Sequence, residues 1–392
     1  MRLFVEVGIS QLPKWGEELC GDDVAICRRH DALIAIVSDG LGSGVKANIL
    51  ATLTTRIAAS MLREGAQLED VVDTIGGTLP ICKARGIAYS TFTIIEIHTD
   101  GSSYFARFDN PEVFFFKGKK LVPLEAVPRT IAGKTIYEGT FKVKDGDTVV
   151  AVTDGIIHSG IGGDLPLGWR WPDVATFLER CQESVTDAQG LAERVTRASK
   201  GYYRGRPGDD ATVVVMKTRP IRIVTIAAGP PRNPGDDAAF ARAIVEAEGK
   251  KVICGGTTAK IIGRELGRQV SVDLADLNPS VPPTGYMPGF DLVTEGIITL
   301  STALERINDF NGRERPWRPE RRSSKPSGED GATRLARLLM EGDEINFLVG
   351  LAINPAHQNP RLSFNLSLKR QVVSEMAGIL ERLGKIVNVK YF

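Results

Sequence analysis

The sequence predicts an α+β fold, in which an antiparallel β-sandwich flanked by helices on both faces is followed by an α/β C-terminal domain. Three observations lead to this prediction. Strand-like runs follow one another with turn residues between them, segments with helical spacing stand before and after those runs, and the pattern changes near Arg219-Pro220. Many antiparallel strands with helices outside them are typical of a sandwich covered on both faces. We therefore expect two domains, residues 1–218 and residues 220–392.

The elements of the first domain follow from hydrophobic periodicity and turn chemistry. Small and apolar residues at helical spacing predict two helices after the first buried strand, at residues 45–63 and 68–83. Two more helices are predicted at residues 172–181 and 187–200, before a Val-rich final strand. The strand-like runs between these helix pairs are YSTFTIIEI, SSYFARF, EVFFFKG, KTIYEGTFKV and DTVVAV. We interpret Asp145-Gly146, between the last two runs, as a hairpin turn.

The second domain alternates as α/β folds do. IRIVTIAAG and KKVICGG are strand-like, and the segment between them, DAAFARAIVEAEG, has helical spacing. Asp236 and Asp237 precede this helix, where Asp is an expected N-cap residue. The later stretches LARLLMEGDEINFLVG and LKRQVVSEMAGILERLGKIVNVKYF predict two more helices and a last strand. The turn CGGTT at residues 254–258 is of a kind that can bind phosphate through backbone N–H groups. It lacks the GxGxxG pattern, and we interpret it as an ordinary strand-to-helix turn.

Composition is that of an ordinary globular protein and excludes several classes of partner. Of the 392 residues, 42% are hydrophobic and 25% are charged, and the formal net charge is +1. This balance gives no electrostatic basis for binding nucleic acid or a membrane surface. No apolar stretch approaches the ~20 residues of a spanning helix, and MRLFVEVGIS does not have the pattern of a secretory signal. The five cysteines form no CxxC pair, so we expect reduced thiols and a cytoplasmic location. They are Cys20, Cys27, Cys82, Cys181 and Cys254.

Four acidic motifs in Gly-rich turn chemistry are the most informative part of the chain. They are GDD at residues 21–23, SDG at 38–40, TDG at 153–155 and GDD at 208–210. LIAIV runs into the second motif, DTVVAV runs into the third, and ATVVV runs out of the last. Because the motifs adjoin strand-like runs in this way, we expect several of their carboxylates to converge at neighbouring strand ends.

An ordinary alternative is that Asp-Gly pairs are turn residues, because Gly supplies a positive φ and Asp bonds its own backbone. That interpretation suffices for any single pair. The motifs recur at the same place relative to buried strands, which favours a shared site. Clustered carboxylates need a cation, and no histidine or cysteine lies at ligand spacing nearby. The ligands would all be oxygen, which favours Mg²⁺ or Mn²⁺ over zinc.

The order of the motifs resembles that of the metal-dependent protein phosphatase family, the Mg²⁺/Mn²⁺ serine/threonine phosphatases, and within it the stage II sporulation protein E branch. That family has an early acidic residue, then Asp-Gly-x-Gly before a helix, a late Ser/Thr-Asp-Gly, and finally Asp-Asp or Asp-Asn before a terminal strand. The corresponding stretches here are CGDDVAI, SDGLGSGVKA, VTDGI and PGDDATVVV. The resemblance covers about residues 1–218 and implies a metal-dependent phosphatase fold and activity.

By this resemblance, Asp39 bridges two metal ions, Gly40 offers its backbone carbonyl, and Asp154 and Asp209 complete the first metal site. Together with Asp22, the three aspartates are the implied catalytic residues, acting through a water that the two ions share. Such ions lower the pKa of the water and orient it for in-line attack on phosphorus. They also neutralise the phosphoryl oxygens, so that no side-chain nucleophile is required.

Two positions around this set stay open. At the early motif, Asp22 matches the sporulation branch and is our preferred ligand, whereas Asp23 matches the pattern elsewhere in the family. Asp109 is a candidate for a third, weaker ion, although Asn110 and the proline behind it make an ordinary turn. Many family members hold the substrate phosphate with an arginine before the first motif. Here only Lys14 stands in that stretch, and we interpret it as a surface residue.

The resemblance implies a phosphoserine or phosphothreonine protein as substrate, of the anti-sigma-antagonist type in this branch. The alternative function is a non-catalytic phosphatase-fold scaffold that binds a phosphoprotein partner. Since all four expected acidic positions are filled, we favour the enzyme. No family resemblance is found for residues 220–392. For them we expect a regulatory role: sensing a ligand, docking the phosphoprotein or forming a homodimer.

Overall fold

The computed structural model describes residues 2–79, 90–163, 165–272, 281–311, 330–352 and 365–392. The chain divides into two compact units, Met1–Pro220 and Ile221–Phe392. Each unit has its own hydrophobic core, and each is described by itself below.

Two antiparallel sheets form the first unit. The five-stranded sheet has the order β1-β11-β10-β6-β7, and the six-stranded sheet has the order β2-β3-β4-β5-β9-β8. The strands are β1 (Leu3–Leu12), β2 (Asp22–Arg28), β3 (Ala32–Asp39), β4 (Phe92–His98), β5 (Ser102–Phe108), β6 (Phe114–Lys117), β7 (Lys120–Val122), β8 (Val127–Ile131), β9 (Lys134–Lys142), β10 (Thr148–Val152) and β11 (Ala211–Pro220).

Helices cover both outer faces of this sandwich. They are α1 (Gly44–Arg63), α2 (Leu68–Thr78), α3 (Asp154–Ile157), α4 (Trp171–Cys181) and α5 (Ala188–Tyr202). Strand β3 is apolar at nearly every position, and its packing on both faces explains this. Ile34 packs toward Val71 of α2, whereas Leu33 packs toward Val149 of the other sheet. Because both faces of β3 are covered, the usual alternation of apolar and polar residues is absent. The predicted sandwich with flanking helices is confirmed.

Several details of the first unit differ from the prediction. The interpretation of Asp145-Gly146 as a hairpin turn is wrong, since β9 and β10, which it joins, belong to different sheets. The buried Asp147 instead accepts hydrogen bonds from the backbone N–H groups of Gly118 and Lys144. Strands β1, β2, β7 and β8 were not among the predicted strand-like runs. The second helix ends at Thr78, and its predicted end at residue 83 lies outside the described residues.

The second unit contains one mainly parallel sheet of seven strands, in the order β14-β15-β16-β13-β12-β17-β18. Strands β16, β13, β12, β17 and β18 run parallel to one another, while β15 is antiparallel to both β14 and β16. The strands are β12 (Ile223–Ala228), β13 (Lys250–Cys254), β14 (Ser271–Val272), β15 (Gly285–Tyr286), β16 (Leu292–Thr294), β17 (Glu344–Val349) and β18 (Ile386–Tyr391).

Helices lie on both faces of that sheet, which gives the predicted α/β architecture. They are α6 (Asp237–Glu246), α7 (Gly256–Leu266), α8 (Ile297–Asn311), α9 (Gly331–Glu341) and α10 (Asn365–Arg382). Ile226 of β12 packs in a core with α8, α9 and α10, and the adjacent Ala227 packs in a core with α6 and α7. Asp236 stands at the N-cap of α6 without a side-chain cap bond, and Asp237 pairs with Arg264 instead of capping.

Strand β17 is the main correction in this unit. The prediction included EINFLV in a helical stretch, which is wrong, because residues 344–349 form a strand between β12 and β18. Residues 344–347, EINF, alternate polar and apolar side chains, which is the period of a strand, and the prediction overlooked this pattern.

Cys20, Cys27, Cys181 and Cys254 are free thiols, and Cys82 lies outside the described residues. No helix in the described ranges is both long enough and apolar enough to span a lipid bilayer.

Candidate metal centre

Strands β2 and β3 bring the first two acidic motifs together. They pair antiparallel, and Asp22 at the start of β2 stands opposite Asp39 at the end of β3. Directly opposed like charges destabilise such a pair unless another group compensates them. The opposed carboxylates therefore destabilise this end of the six-stranded sheet, which indicates that it has a functional role.

The other two motifs meet at one end of the five-stranded sheet. Strands β10 and β11 are antiparallel, with Val152 opposite Val213, so the residue after β10 and the residue before β11 are neighbours. Asp154 begins α3 directly after β10, and Asp210 immediately precedes β11. A side chain on Gly155 would collide with the backbone carbonyl of Asp210, whose oxygen would lie 2.0 Å from a Cβ there. The glycine of the TDG motif thus permits this close approach.

One hydrogen bond joins the two sheet ends into a single cluster. The Thr153 hydroxyl donates to Oδ2 of Asp22 at 2.8 Å and accepts from the backbone N–H of Thr212, also at 2.8 Å. Both threonines are buried. The structure therefore brings Asp22, Asp39, Asp154 and Asp209 into one neighbourhood, where their charges act on one another.

Burial and mutual repulsion both act on the carboxyl groups of this neighbourhood, and burial has the larger effect. Burial raises the pKa of Asp39 to about 9, and the nearby charges of Asp22, Asp154, Asp209 and Asp210 add to the shift. Burial also raises the pKa of Asp22 to about 7, although the hydrogen bond from Thr153 opposes the change. The pKa of Asp209 is raised by burial and by Asp154. A cation among these groups would reverse the shifts, because it favours the charged form of each carboxyl.

Two buried carboxylate oxygens in the cluster have no hydrogen-bond partner among the described residues. They are Oδ1 of Asp22 and Oδ2 of Asp210. Leaving such a group unpaired is costly, so an unpaired carboxylate oxygen in a functional protein calls for a partner such as an ion. The donors are all carboxylate oxygens, which is the chemistry of a hard divalent cation. The residue types thus fit Mg²⁺ or Mn²⁺. Within the described ranges, however, no three acidic, imidazole or thiol side chains are arranged to hold a metal ion.

Gly40 is held by close packing against helix α1. A Cβ at this position would lie 2.0 Å from the carbonyl oxygen of Ala47, and the Gly40 N–H donates to Gly21 at 3.3 Å. The chain then turns sharply into α1 through Gly42 and Gly44, which have φ values of 101° and 69°. Only glycine allows α1 to begin so close to Asp39.

The two remaining acidic candidates have surroundings of their own. Because side chains alternate along a strand, Asp23 points away from Asp22, and its carboxylate accepts a hydrogen bond from Thr55 of α1. Asp109 is exposed in a left-handed conformation with φ of 50°.

Sequence reasoning missed three parts of this site. Asp210 is a fifth carboxylate, only 4% exposed, and its Oδ1 accepts a hydrogen bond from the backbone N–H of Lys14 at 3.0 Å. Thr153 lies inside the TDG motif, but no role was given to it. Thr91 accepts from the N–H of Asp39 at 3.1 Å and donates to Asn110 at 2.6 Å. Asp210 was visible as the second acid of its motif, whereas nothing local in the sequence pointed to Thr91.

Comparison with known proteins gives a family for this part of the chain. Residues 29–219, which include Asp39, Asp154 and Asp209 but not Asp22, match the family model described as stage II sporulation protein E. The stage II sporulation protein E of Bacillus subtilis strain 168 is 25% identical over 222 residues, which cover 54% of this chain and 26% of that protein. The protein of the same name from Priestia megaterium is 21% identical over 218 residues, covering 54% and 36%. This chain thus spans about a quarter to a third of the length of these relatives.

A solved structure gives a further similarity. The PP2C phosphatase domain of Bacillus subtilis SpoIIE with a fragment of its regulatory domain aligns with 56% of this chain and 64% of that chain, at 21% identity and a TM-score of 0.47. Residues 29–219 therefore contain a stage II sporulation protein E domain, a PP2C-like phosphatase domain.

Proposed function

We propose that the first unit is a metal-dependent protein serine/threonine phosphatase, which hydrolyses phosphoserine or phosphothreonine of a partner protein. One observation supports this above all others. Four carboxylates from motifs far apart in the sequence lie in one neighbourhood. One of them, Asp22, has a buried Oδ1 with no hydrogen-bond partner among the described residues. Such an arrangement is destabilising by itself, so a bound ligand must compensate it. The match of residues 29–219 to a phosphatase family agrees with this proposal.

In this proposal, the carboxylates of Asp22, Asp39, Asp154 and Asp209 and the carbonyl of Gly40 hold two ions of Mn²⁺ or Mg²⁺. When bound, these ions supply an activated water and neutralise the phosphoryl oxygens. Asp109, exposed at its turn, remains a proposal for a third ion, and Asp23 remains the alternative to Asp22.

The chain's own residues position these ligands. Thr153 fixes one oxygen of Asp22, which leaves the other oxygen directed away from that hydrogen bond. Thr91 holds the backbone of Asp39 from the neighbouring strand end. Because outer hydrogen bonds of this kind orient metal ligands, they contribute to affinity without touching the metal.

The substrate we propose is a phosphorylated regulator of the anti-sigma-antagonist type. This proposal extends the family membership and does not rest on the geometry of the carboxylate cluster. We further propose a regulatory role for the second unit, including the formation of a homodimer, and a cytoplasmic location. The four described cysteines agree with the location, since all are free thiols.

The test is hydrolysis of p-nitrophenyl phosphate and of a phosphothreonine peptide with Mn²⁺, Mg²⁺ or EDTA. We expect turnover that requires metal and that Asp39→Asn abolishes. Asp145→Asn is the matched control, because it makes the same change at an exposed turn between strands. If no turnover occurs, and calorimetry finds no Mn²⁺ binding that Asp39→Asn removes, the proposal fails. A non-catalytic scaffold that binds a phosphoprotein then becomes the better explanation.

A further inference from the structure

Glycines follow the parallel strands of the second unit at one edge of its sheet. Gly229 comes directly after β12, Gly255 after β13 and Gly350 after β17, while Gly296 is the second residue after β16. Parallel strands end at the same edge, so these four glycines lie along it. Ligands of open α/β sheets bind at this carboxyl edge, where side chains would otherwise fill the space.

The strand order identifies one point along the edge. Strand β12 comes first in the sequence, its successors β13 and β16 lie to one side, and β17 and β18 lie to the other. The connections therefore leave β12 and β17 in opposite directions, which opens a crevice between the ends of these two strands. Gly229 and Gly350 are the residues at that crevice.

A lysine of α10 reaches into this crevice. Lys369 donates from Nζ to the carbonyl oxygen of Gly350 at 2.6 Å, and the same Nζ lies 2.1 Å from the place where a Cβ of Gly229 would stand. Burial lowers the pKa of this lysine, and no nearby carboxylate opposes the change. The ammonium group is thus a partly desolvated positive charge whose one hydrogen bond in the described residues goes to a neutral carbonyl. Such a charge is stabilised when an anion binds beside it.

The start of helix α7 adjoins the crevice. The N–H of Gly229 donates to the carbonyl of Cys254 at 3.3 Å, which places the end of β13 next to that of β12. Helix α7 has 11 residues and begins directly after Gly255, whose φ is 130°. The N–H of Gly256 donates to the carbonyl of Glu295 at 2.9 Å, and the N–H groups of the two residues after it have no partner within the helix. The helix dipole favours an anion at this end.

A buried hydroxyl points into the same turn. Thr258, the third residue of α7, is fully buried, and its Oγ1 has no hydrogen-bond partner among the described residues. That oxygen lies 2.7 Å from where a Cβ of Gly255 would stand, so it faces the space that the glycine leaves. Thr299, the third residue of α8, is likewise fully buried and without a partner there. An unpartnered buried hydroxyl is costly unless a ligand completes its hydrogen bonds.

We propose that the carboxyl edge of this sheet binds a phosphate-bearing small molecule between Lys369 and the first turn of α7. The groups that converge here are donors: an ammonium, a threonine hydroxyl and helix N-terminal N–H groups. A phosphate group matches them because it offers several acceptor oxygens and negative charge. The sequence favoured an ordinary turn at residues 254–258. The desolvated lysine and the unpartnered Thr258 hydroxyl, visible only in the structure, favour a binding site instead.

The test is calorimetric titration of the full chain in EDTA with inorganic phosphate, ribose 5-phosphate, ATP and GTP. We expect saturable binding of at least one of these probes. Lys369→Gln and Thr258→Val should each weaken it about tenfold or more, because each removes a hydrogen bond to a charged group. Thr258→Ser should restore it. Equal affinity for inorganic phosphate would identify the free anion as ligand, and binding of nucleotides alone would identify a nucleoside phosphate.

Two controls separate this site from others. Lys250→Gln removes the same charge at the start of β13, on the opposite edge of the sheet, and should leave binding unchanged. Asp39→Asn should also leave binding unchanged, because EDTA removes metal from the first unit. Thermal unfolding of each variant without ligand checks that it is folded. The proposal is overturned if no probe binds, or if the Lys369 and Thr258 variants bind as tightly as the Lys250 variant.

Discussion

The Thr153 hydroxyl donates a hydrogen bond of 2.8 Å to the carboxylate of Asp22, a residue 131 positions away in the sequence. This bond connects the end of one sheet with the start of a strand in the other. It also uses one oxygen of Asp22 and leaves Oδ1 without a partner among the described residues. The threonine of the TDG motif therefore determines which oxygen of Asp22 is available to a ligand.

Replacing Thr153 tests this positioning role. We expect Thr153→Val to raise the Mn²⁺ concentration needed for half-maximal turnover by about ten- to a hundredfold, since residues that orient metal ligands have effects of this size. Thr153→Ser keeps the hydroxyl and should behave as wild type. The measurement is turnover against Mn²⁺ concentration, with thermal unfolding to confirm folding. Equal Mn²⁺ dependence of a folded Val variant and the Ser variant would show that the bond has no such role.

Replacing each of the two adjacent aspartates of the first motif should have very different effects on turnover. Asp22→Asn should reduce turnover by more than about a hundredfold, because loss of a ligand exceeds the effect of losing a group that only orients one. Asp23→Asn should change turnover little, since Asn still accepts the hydrogen bond from Thr55 on α1. Turnover of p-nitrophenyl phosphate with saturating Mn²⁺ measures both. The opposite order of effects would assign the ligand role to Asp23.

The free energy of unfolding of the metal-free protein should decrease as pH rises. Folding raises the pKa of Asp22 to about 7 and that of Asp39 to about 9, so the folded protein holds protons that the unfolded chain releases. The contribution of these two groups to the free energy of unfolding is fully present below their ordinary pKa of about 4. It falls as pH rises from about 4 to about 7 for Asp22 and from about 4 to about 9 for Asp39.

Urea unfolding in EDTA from about pH 5 to about pH 9 measures this dependence. Asp39→Asn should remove the decrease in the free energy of unfolding that occurs at the higher pH values. Adding Mn²⁺ should reduce the loss in the wild type, because a cation favours the charged carboxylates. If the free energy of unfolding of the wild type and of Asp39→Asn changed with pH in the same way, the raised pKa of Asp39 would be contradicted.

Gly40 should tolerate no side chain. Gly40→Ala would place a Cβ 2.0 Å from the Ala47 carbonyl oxygen, and we expect a loss of about 1–3 kcal/mol in the free energy of unfolding. Gly77→Ala is the matched control, since its Cβ would meet nothing within 4 Å inside α2 and alanine favours helices. Urea unfolding of the two variants measures the difference. If Gly40→Ala were as stable as Gly77→Ala, α1 would not pack on Gly40 as described.

Much of the first unit was predictable because its information is local. Turn glycines and apolar periodicity located the helices at residues 44–63 and 171–181 to within one residue at each end. The four acidic motifs were likewise visible, since each stands where a strand-like run begins or ends. Their role as ligands stays a prediction until metal binding is measured.

Tertiary structure decided what local patterns leave open. Strand register turned Asp22 toward the cluster and Asp23 toward α1, because neighbouring side chains on a strand point to opposite faces. Pairing with β12 on one side and β18 on the other made a strand of residues 344–349, which the prediction had placed in a helical stretch. Contacts between distant segments buried Asp210 and placed Lys369 in the crevice beside Gly229. The sequence determined which residues could act, and long-range packing determined which of them meet.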